Sequence, residues 1–543
     1  MISEGCNPVK KVELKIINSL NKILVGDRLD NYLQKATALR NERFHFQIVL
    51  KGNETVDNLS LTVNGDVQGL SFYDVKDILG GPSWVKFEDD YFEAKDKRLY
   101  PDLLIEHEDA FSIKKDEIKS IFVAVDCSQL SKGVNKWIFE IAGESIEFEL
   151  NVLPCKLVDT NLILTDWVHI DCICDVHNVE PFTKEFYSVF EQYLALYVQM
   201  GNNTILTPLF TPPLDVDVGS HRKTVQLISV QEINGQYAFD FSKLSYFMQF
   251  CMKRGIANFE FSQLFTQWGA KACPKIAIQT QKGEEIRFGW STASDDEEYL
   301  RFLSACLTDL AQFLRLMQLN EKVFFHISDE PTIEDFERYS RLATFVKSHI
   351  GDMKILDTIT DKNFLQSGLM NIPAIATREW DFITREKVSS MIYYCCIEHE
   401  NYLSNRFFCM PLQRTRILGM QLYANNSIGF LHWGFNFYYS YHSQRKIDPY
   451  TETDADGYYP SGDAFVVYPT GNGATPSIRY MTMIEAFQDY RALKTLEFFV
   501  GRGQVMALLE EEGVRGLTEY PHCAEWHFAF RQKINDLIKN KFH

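Results

Sequence analysis

Asp329 and Glu330 stand side by side at the end of an apolar run, Val-Phe-Phe-His-Ile-Ser-Asp-Glu-Pro over 323–331. The run reads as a buried strand, and Pro331 blocks its continuation. Thr332, with Asp335 three residues on, reads as the N-cap of a helix over 333–348. Carboxylates between a strand's carboxyl end and a helix occupy the place where parallel α/β folds carry their chemistry. Two acids so placed suit general acid and base work. Charged turn residues are by default merely hydrated, so the rest of the chain decides between the two readings.

The elements that must position this pair follow a strand-then-helix rhythm. After Asn161, apolar strand candidates fall at 162–168, 204–209, 257–261, 323–327, 354–356, 374–377, 391–396 and 428–433. Helical patterns fall between them at 181–200, 241–254, 297–317, 333–348 and 406–424, and 476–500 predicts a covering helix. Eight strands alternating with helices predict a (β/α)8 TIM barrel, an α/β fold, over 156–543. Ahead of it, 1–155 is rich in short strands, at 12–17, 44–50, 59–63, 121–125, 137–141 and 146–152. Such spacing predicts an N-terminal β-sandwich domain. The last two strands flank Ala142-Gly143-Glu144-Ser145, a hairpin signal. The charged stretch 80–102, opening on Gly80-Gly81-Pro82, reads as a long connection.

Composition narrows the partners. The 543-residue chain is 45% hydrophobic and carries 41 Phe and 25 Tyr, enough for a large core. A formal net charge of −18 argues against nucleic acid or an anionic membrane surface as partner. No uncharged run approaches the length of a membrane span, and Met1 to Pro8 lacks the apolar core of a signal peptide. The 12 cysteines show no disulfide framework, which favours a cytoplasmic protein. Asp171-Cys172-Ile173-Cys174-Asp175-Val176-His177 gathers ligand types without zinc spacing, so no metal and no cofactor is expected. Cys395-Cys396 reads as packing within an apolar strand.

Barrel strand ends line one pocket. Trp167, His169 and Asp171 follow the first strand, and His326 lies at the end of the fourth. Arg378-Glu379-Trp380-Asp381 follows the sixth, Tyr393 and Tyr394 lie in the seventh, and Trp433 and Asn436 end the eighth. Aromatic walls with a few polar anchors are the composition of a sugar pocket. To these are added Arg416-Ile417-Leu418-Gly419, Gly429-Phe430-Leu431-His432-Trp433-Gly434-Phe435-Asn436, Gly462-Asp463, Tyr468-Pro469 and Ser477-Ile478-Arg479. In this order, together with the adjacent Asp-Glu, the set resembles glycoside hydrolase family 123, whose known members are retaining, exo-acting β-N-acetylgalactosaminidases.

The resemblance implies hydrolysis of a terminal β-linked N-acetylhexosamine from an oligosaccharide or glycoconjugate, assisted by the sugar's own 2-acetamido oxygen. On that implication Asp329 receives the acetamido N–H, and Glu330 protonates the leaving oxygen and then activates water. Trp167, His169, Asp171, His326, Trp380, Tyr393, Tyr394, Trp433 and Asn436 are the candidate substrate contacts. Two other readings stay open on the residues alone. Asp171 or Glu379 would serve as a protein nucleophile opposite Glu330 in an ordinary retaining glycosidase. Alternatively, the acids only hold sugar hydroxyls in a non-catalytic glycan-binding protein.

Overall fold

The computed structural model describes residues 10–24, 32–361, 363–380, 392–394 and 397–542. Met1 to Pro8, Asp381, Cys395 and Cys396 lie outside the described residues, as do the side chains of Tyr393 and Tyr394. The eight expected strands all form: β1 (Ile163–Asp166), β2 (Thr204–Thr207), β3 (Asn258–Phe261), β4 (Val323–Phe325), β5 (Lys354–Ile359), β6 (Ile372–Ala376), β7 (Ile392–Tyr394) and β8 (Gly429–His432). They build one eight-stranded sheet in the order β1-β8-β7-β6-β5-β4-β3-β2, parallel throughout.

The hydrogen-bonded ladder does not close between β1 and β2, so the barrel expected from the strand count is not closed by strand pairing. Asn203, just before β2, spans that seam instead. Its N–H donates to Leu164 O at 3.1 Å, and its side-chain oxygen accepts from Leu164 N at 3.1 Å. β1, β2, β4 and β8 are buried almost throughout, which is why they read as apolar runs rather than alternations.

The helices begin where capping chemistry allows. Asp296 accepts from Tyr299 N at 2.9 Å to open Glu297–Leu316, and Ser477 accepts from Tyr480 N at 3.1 Å to open Ile478–Val500. Behind the Asp-Glu pair a short 3-10 turn, Ile333–Asp335, precedes the helix Phe336–Ile350. Thr332 occupies the N-cap position of that turn as expected, but its hydroxyl donates to the Asp335 side chain at 2.8 Å instead of accepting from a backbone N–H.

The N-terminal part carries two sheets. One has five strands, in the order Val12–Asn18, Arg43–Gly52, Ile118–Asp126, Leu70–Gly80 and Arg98–Glu106. The other has four, Lys35–Leu39, Glu144–Leu153, Gly133–Ile141 and Thr62–Asn64. Phe46, Ile48 and Val123 of the first share a core with Trp137, Phe139 and Phe148 of the second. The hairpin turn has Ala142 at φ 54° and Gly143 at φ 81°, the doubly left-handed geometry of a two-residue type I′ loop.

The 80–102 connection is shorter than expected, because Arg98–Glu106 pairs with Leu70–Gly80 as an edge strand. Pro101 concealed it. A proline cannot donate to a ladder, and the register shifts between Lys76 and Asp77, where Pro101 pairs. A four-stranded sheet (Ser229–Ile233, Gln236–Asp240, Ile276–Thr280, Gly283–Phe288) was also not expected. Its strands are half-exposed and short.

The tail helix Ile478–Val500 fastens the two parts together. Its Asp489 receives Arg416 at 2.8 Å and Arg531 at 3.0 Å, and its Glu485 receives Arg416 at 2.9 Å. Arg531 also pairs with Glu42, which precedes the strand Arg43–Gly52. All of these charges are buried, so each depends on its partners.

Candidate active site

A cavity of about 260 Å³ opens at the carboxyl ends of the parallel strands, lined by Trp167, His169, Asp215, Gln267, Trp268, Asp329, Glu330, Arg378, Glu398, Trp433, Tyr458 and Tyr459 among others. That is close to the roughly 300 Å³ at which small-molecule sites begin. β4 ends at Phe325, and the chain then turns so that Asp329 is buried and Glu330 half-buried on the cavity wall.

Glu330 holds a left-handed backbone at φ 45°, although a proline follows it. Both features are unfavourable for an L-residue with a Cβ, at roughly 1–3 kcal/mol. The side chain of Thr358, at the end of β5, holds the conformation. Its hydroxyl oxygen accepts from Glu330 N at 2.9 Å and its proton goes to Asp329 Oδ1 at 2.5 Å. One hydroxyl therefore fixes the backbone of one acid and the carboxylate of the other.

Burial pushes the Asp329 carboxyl up to about 6, against the lowering effects of the Thr358 hydroxyl and the nearby His326 charge. The acid thus titrates close to neutrality. Beneath the pair His326 is fully buried, with Nε2 2.6 Å from Glu260 and Nδ1 2.9 Å from Asp357. Burial alone would lower its pKa, but the two carboxylates push it up to about 10, so both ring nitrogens carry protons and both donate. Asp357 further accepts from Ile327 N at 3.0 Å and from the Tyr339 hydroxyl at 2.6 Å. Glu260, from β3, also accepts from Trp167 Nε1 at 2.6 Å and from Thr165 at 2.7 Å. Residues from β1, β3, β4 and β5 are thereby locked into one layer under the cavity.

The candidate contacts divide. Trp167, His169 and Trp433 line the cavity with Asp329 and Glu330. His169 is held by Trp433 O at 2.8 Å and Arg222 at 3.0 Å, and burial followed by the Arg222 charge lowers its pKa to about 3. It is a neutral imidazole. Trp433 donates to Asp463 at 3.1 Å and packs against Tyr459 with ring centroids 4.8 Å apart. Four expected contacts lie behind the wall instead. Asp171 is buried in a two-pronged ion pair with Arg222, at 2.5 and 2.9 Å. His326 is enclosed by its two carboxylates, and Asn436 is spent on the His169 backbone, at 2.9 and 3.1 Å. Trp380 is buried in the main core and donates to Asn425 at 2.9 Å.

Neither alternative nucleophile faces the cavity: Asp171 is tied to Arg222, and Glu379 is absent from its lining. Two other carboxylates do line it. Asp215, at φ 45°, accepts from the Tyr459 hydroxyl at 2.9 Å, and burial raises its pKa. Glu398 accepts from Thr377 at 2.5 Å and Arg378 N at 2.9 Å, and burial raises its pKa as well. Sequence reasoning missed both, and missed Thr358, Gln267, Trp268, Tyr458 and Tyr459. Only Glu260 left a signal, as a carboxylate within the apolar run 257–261.

A carboxylic pair on the loop that follows a strand, within an aromatic-walled cavity, is the equipment of a glycoside hydrolase. Residues 167–496, more than half of the chain, match the model of the glycoside hydrolase 123 catalytic domain, and the chain belongs to that family. It is a glycosidase. A family 123 glycoside hydrolase from Clostridium perfringens, studied for glycolipid glycan hydrolysis, superposes with a TM-score of 0.72 at 15% identity over 97% of both chains. A GH2 β-galacturonidase from Eisenbergiella tayi (TM-score 0.33, 9% identity, 88% of this chain and 72% of that one) is far more distant. So is a GH10 xylanase from Thermobacillus composti (TM-score 0.31, 9% identity, 60% and 97%). No curated protein matches the chain.

Proposed function

We propose that the protein removes terminal β-linked N-acetylhexosamine, foremost N-acetylgalactosamine, from glycans by retaining, substrate-assisted hydrolysis. The observation that carries this reading is the Thr358 hydroxyl, which fixes Asp329 Oδ1 and the Glu330 backbone together beside a cavity the size of a single sugar. On this reading the eight-stranded sheet acts as a (β/α)8 barrel, with the N-terminal sheets, 1–155, as a separate sandwich domain packed on it.

In the first step the acetamido oxygen attacks the anomeric carbon and the glycosidic C–O bond breaks. Glu330 delivers its proton to the departing oxygen, while the Asp329 carboxylate takes up the acetamido N–H and offsets the positive charge growing there. In the second step water attacks the anomeric carbon of the oxazoline-like intermediate and gives its proton to Glu330. The ring opens with net retention. Asp329 must be ionised for this, and a carboxyl at about 6 is largely so at neutral pH. Trp433 and Trp167 supply the apolar faces against which the pyranose packs.

The Clostridium perfringens relative's action on glycolipid glycans supports a glycoconjugate as the natural substrate. Assaying 4-nitrophenyl β-N-acetylgalactosaminide beside the β-N-acetylglucosaminide and the β-galactoside tests the reading. Turnover of an N-acetylhexosaminide with early release of the β-anomer is expected. Equal turnover of the plain galactoside would overturn it.

A further inference from the structure

Two exposed indoles stand at and beyond the rim of this cavity. Trp268, 39% exposed, lines the cavity, and Trp84, 63% exposed, lies beyond it on the N-terminal part. Continuous ring contact joins them. Trp268 meets His442 with centroids 5.5 Å apart, His442 meets Tyr441 at 3.7 Å, Tyr441 stacks on Tyr458 at 3.4 Å, and Tyr458 meets the edge of Trp84 at 5.7 Å.

The path is held in place by strained backbone. Trp84 sits at φ 61°, Trp268 at 56° and His442 at 51°, all in the left-handed region that bulky residues avoid. Trp268 and the Trp84 loop are fastened locally. Trp268 N donates to Asp329 O at 2.8 Å, coupling the rim to the catalytic loop. The Trp84 loop is sewn to the Tyr458 loop: Gly81 N donates to Ser461 Oγ at 2.8 Å, Ser461 N to Gly81 O at 3.1 Å, and Ser83 Oγ to Asp454 at 3.2 Å. A connection whose only purpose was to join two paired strands of one sheet would have no need to hold an exposed indole in a strained conformation against a second loop.

We propose that this aromatic path is the leaving-group platform of the glycosidase, which makes an extended oligosaccharide, rather than an aryl or alkyl group, the preferred aglycone. The proposal rests on the glycosidase reading above. Trp268 packs on the sugar next to the scissile bond, and Trp84 packs on a sugar farther along the chain. The stacked Tyr458, Tyr441 and His442 prop the surface between them. Pyranose faces suit it because they present apolar C–H patches to the rings and hydroxyl edges to water.

The test compares a linear tetrasaccharide ending in β-N-acetylgalactosamine with the methyl β-N-acetylgalactosaminide. In wild type the kcat/KM ratio should favour the tetrasaccharide. Trp84→Ala should lower that ratio about tenfold, chiefly through KM, and Trp268→Ala about as much. Trp84 is exposed, so its variant should keep the wild-type melting temperature, and Trp84→Phe should restore most of the ratio. Calorimetric titration of the tetrasaccharide into Glu330→Gln, with and without Trp84→Ala, reads the platform without turnover and should show about tenfold weaker binding. A ratio and a binding constant both within twofold of the parent would overturn the platform. Tight, Trp84-dependent binding with no hydrolysis by wild type would uphold it while overturning the proposed function.

Discussion

Replacing Thr358 with valine removes one hydroxyl and keeps the shape of a fully buried side chain. That hydroxyl donates to Asp329 and accepts from Glu330 N, so both bonds vanish together. A hydrogen bond to an ionised group is worth about 1.5–3 kcal/mol, and 1.36 kcal/mol corresponds to one pH unit of pKa. The Asp329 carboxyl, already pushed up to about 6 by burial, should therefore rise to roughly 7–8. At pH 6 the ionised fraction falls from about one half to about a tenth or less. The acidic limb of kcat/KM for an aryl β-N-acetylgalactosaminide should move up by about one to two pH units. The freed Glu330 N–H should lower stability by about 1–3 kcal/mol, while Thr358→Ser, which keeps the hydroxyl, should restore the wild-type profile. An unmoved acidic limb with kcat/KM within twofold at every pH would refute the argument that this hydroxyl governs the pair.

Asp329→Asn should trade activity for stability. The folded pKa, about 6, lies above the ordinary value of roughly 3.9, so the carboxyl's contribution is full below pH 4 and lost as pH rises through 6. Above pH 6 the buried charge costs on the order of 3 kcal/mol, and urea midpoints at pH 4.5 and 7.5 should show wild type losing ground to the variant between them. Glu330→Gln should slow substrates with poor leaving groups by about 10²–10⁴-fold and aryl glycosides less, measured as kcat in each series. Arg416→Ala strips a buried partner from Glu485 and Asp489 and should cost about 3–5 kcal/mol, read from denaturant unfolding.

The sequence made the catalytic scaffold legible and left its rim obscure, for physical reasons. A parallel strand buried on both faces shows as an apolar run, so all eight strands were visible, although β4 stops at Phe325, well before Pro331. Strand alternation says nothing about which residues beyond a strand's last hydrogen bond reach the cavity. His326, Asp171 and Asn436 were therefore assigned to substrate, although they support the wall from behind. Thr358 carries no signal of its own: a threonine in an apolar strand is ordinary, and its role exists only because the Glu330 backbone turns left-handed beside it. Trp268, Tyr458, Asp215 and Glu398 come from loops, where no periodicity binds a residue to a face. Pro101 hid an edge strand because a register shift accommodates it.

The claim that the substrate supplies its own nucleophile is tested most directly by weakening that nucleophile. Aryl β-galactosaminides carrying N-acetyl, N-fluoroacetyl, N-difluoroacetyl and N-trifluoroacetyl groups differ little in size but progressively withdraw electrons from the amide oxygen. Plotting log kcat/KM against fluorine count should give a steep fall at each step, because that oxygen attacks the anomeric carbon in the transition state. A flat or rising series, with a 2-fluoro sugar leaving a covalent adduct on Asp215 or another cavity carboxylate, would contradict the account and make Asp329 an orienting group.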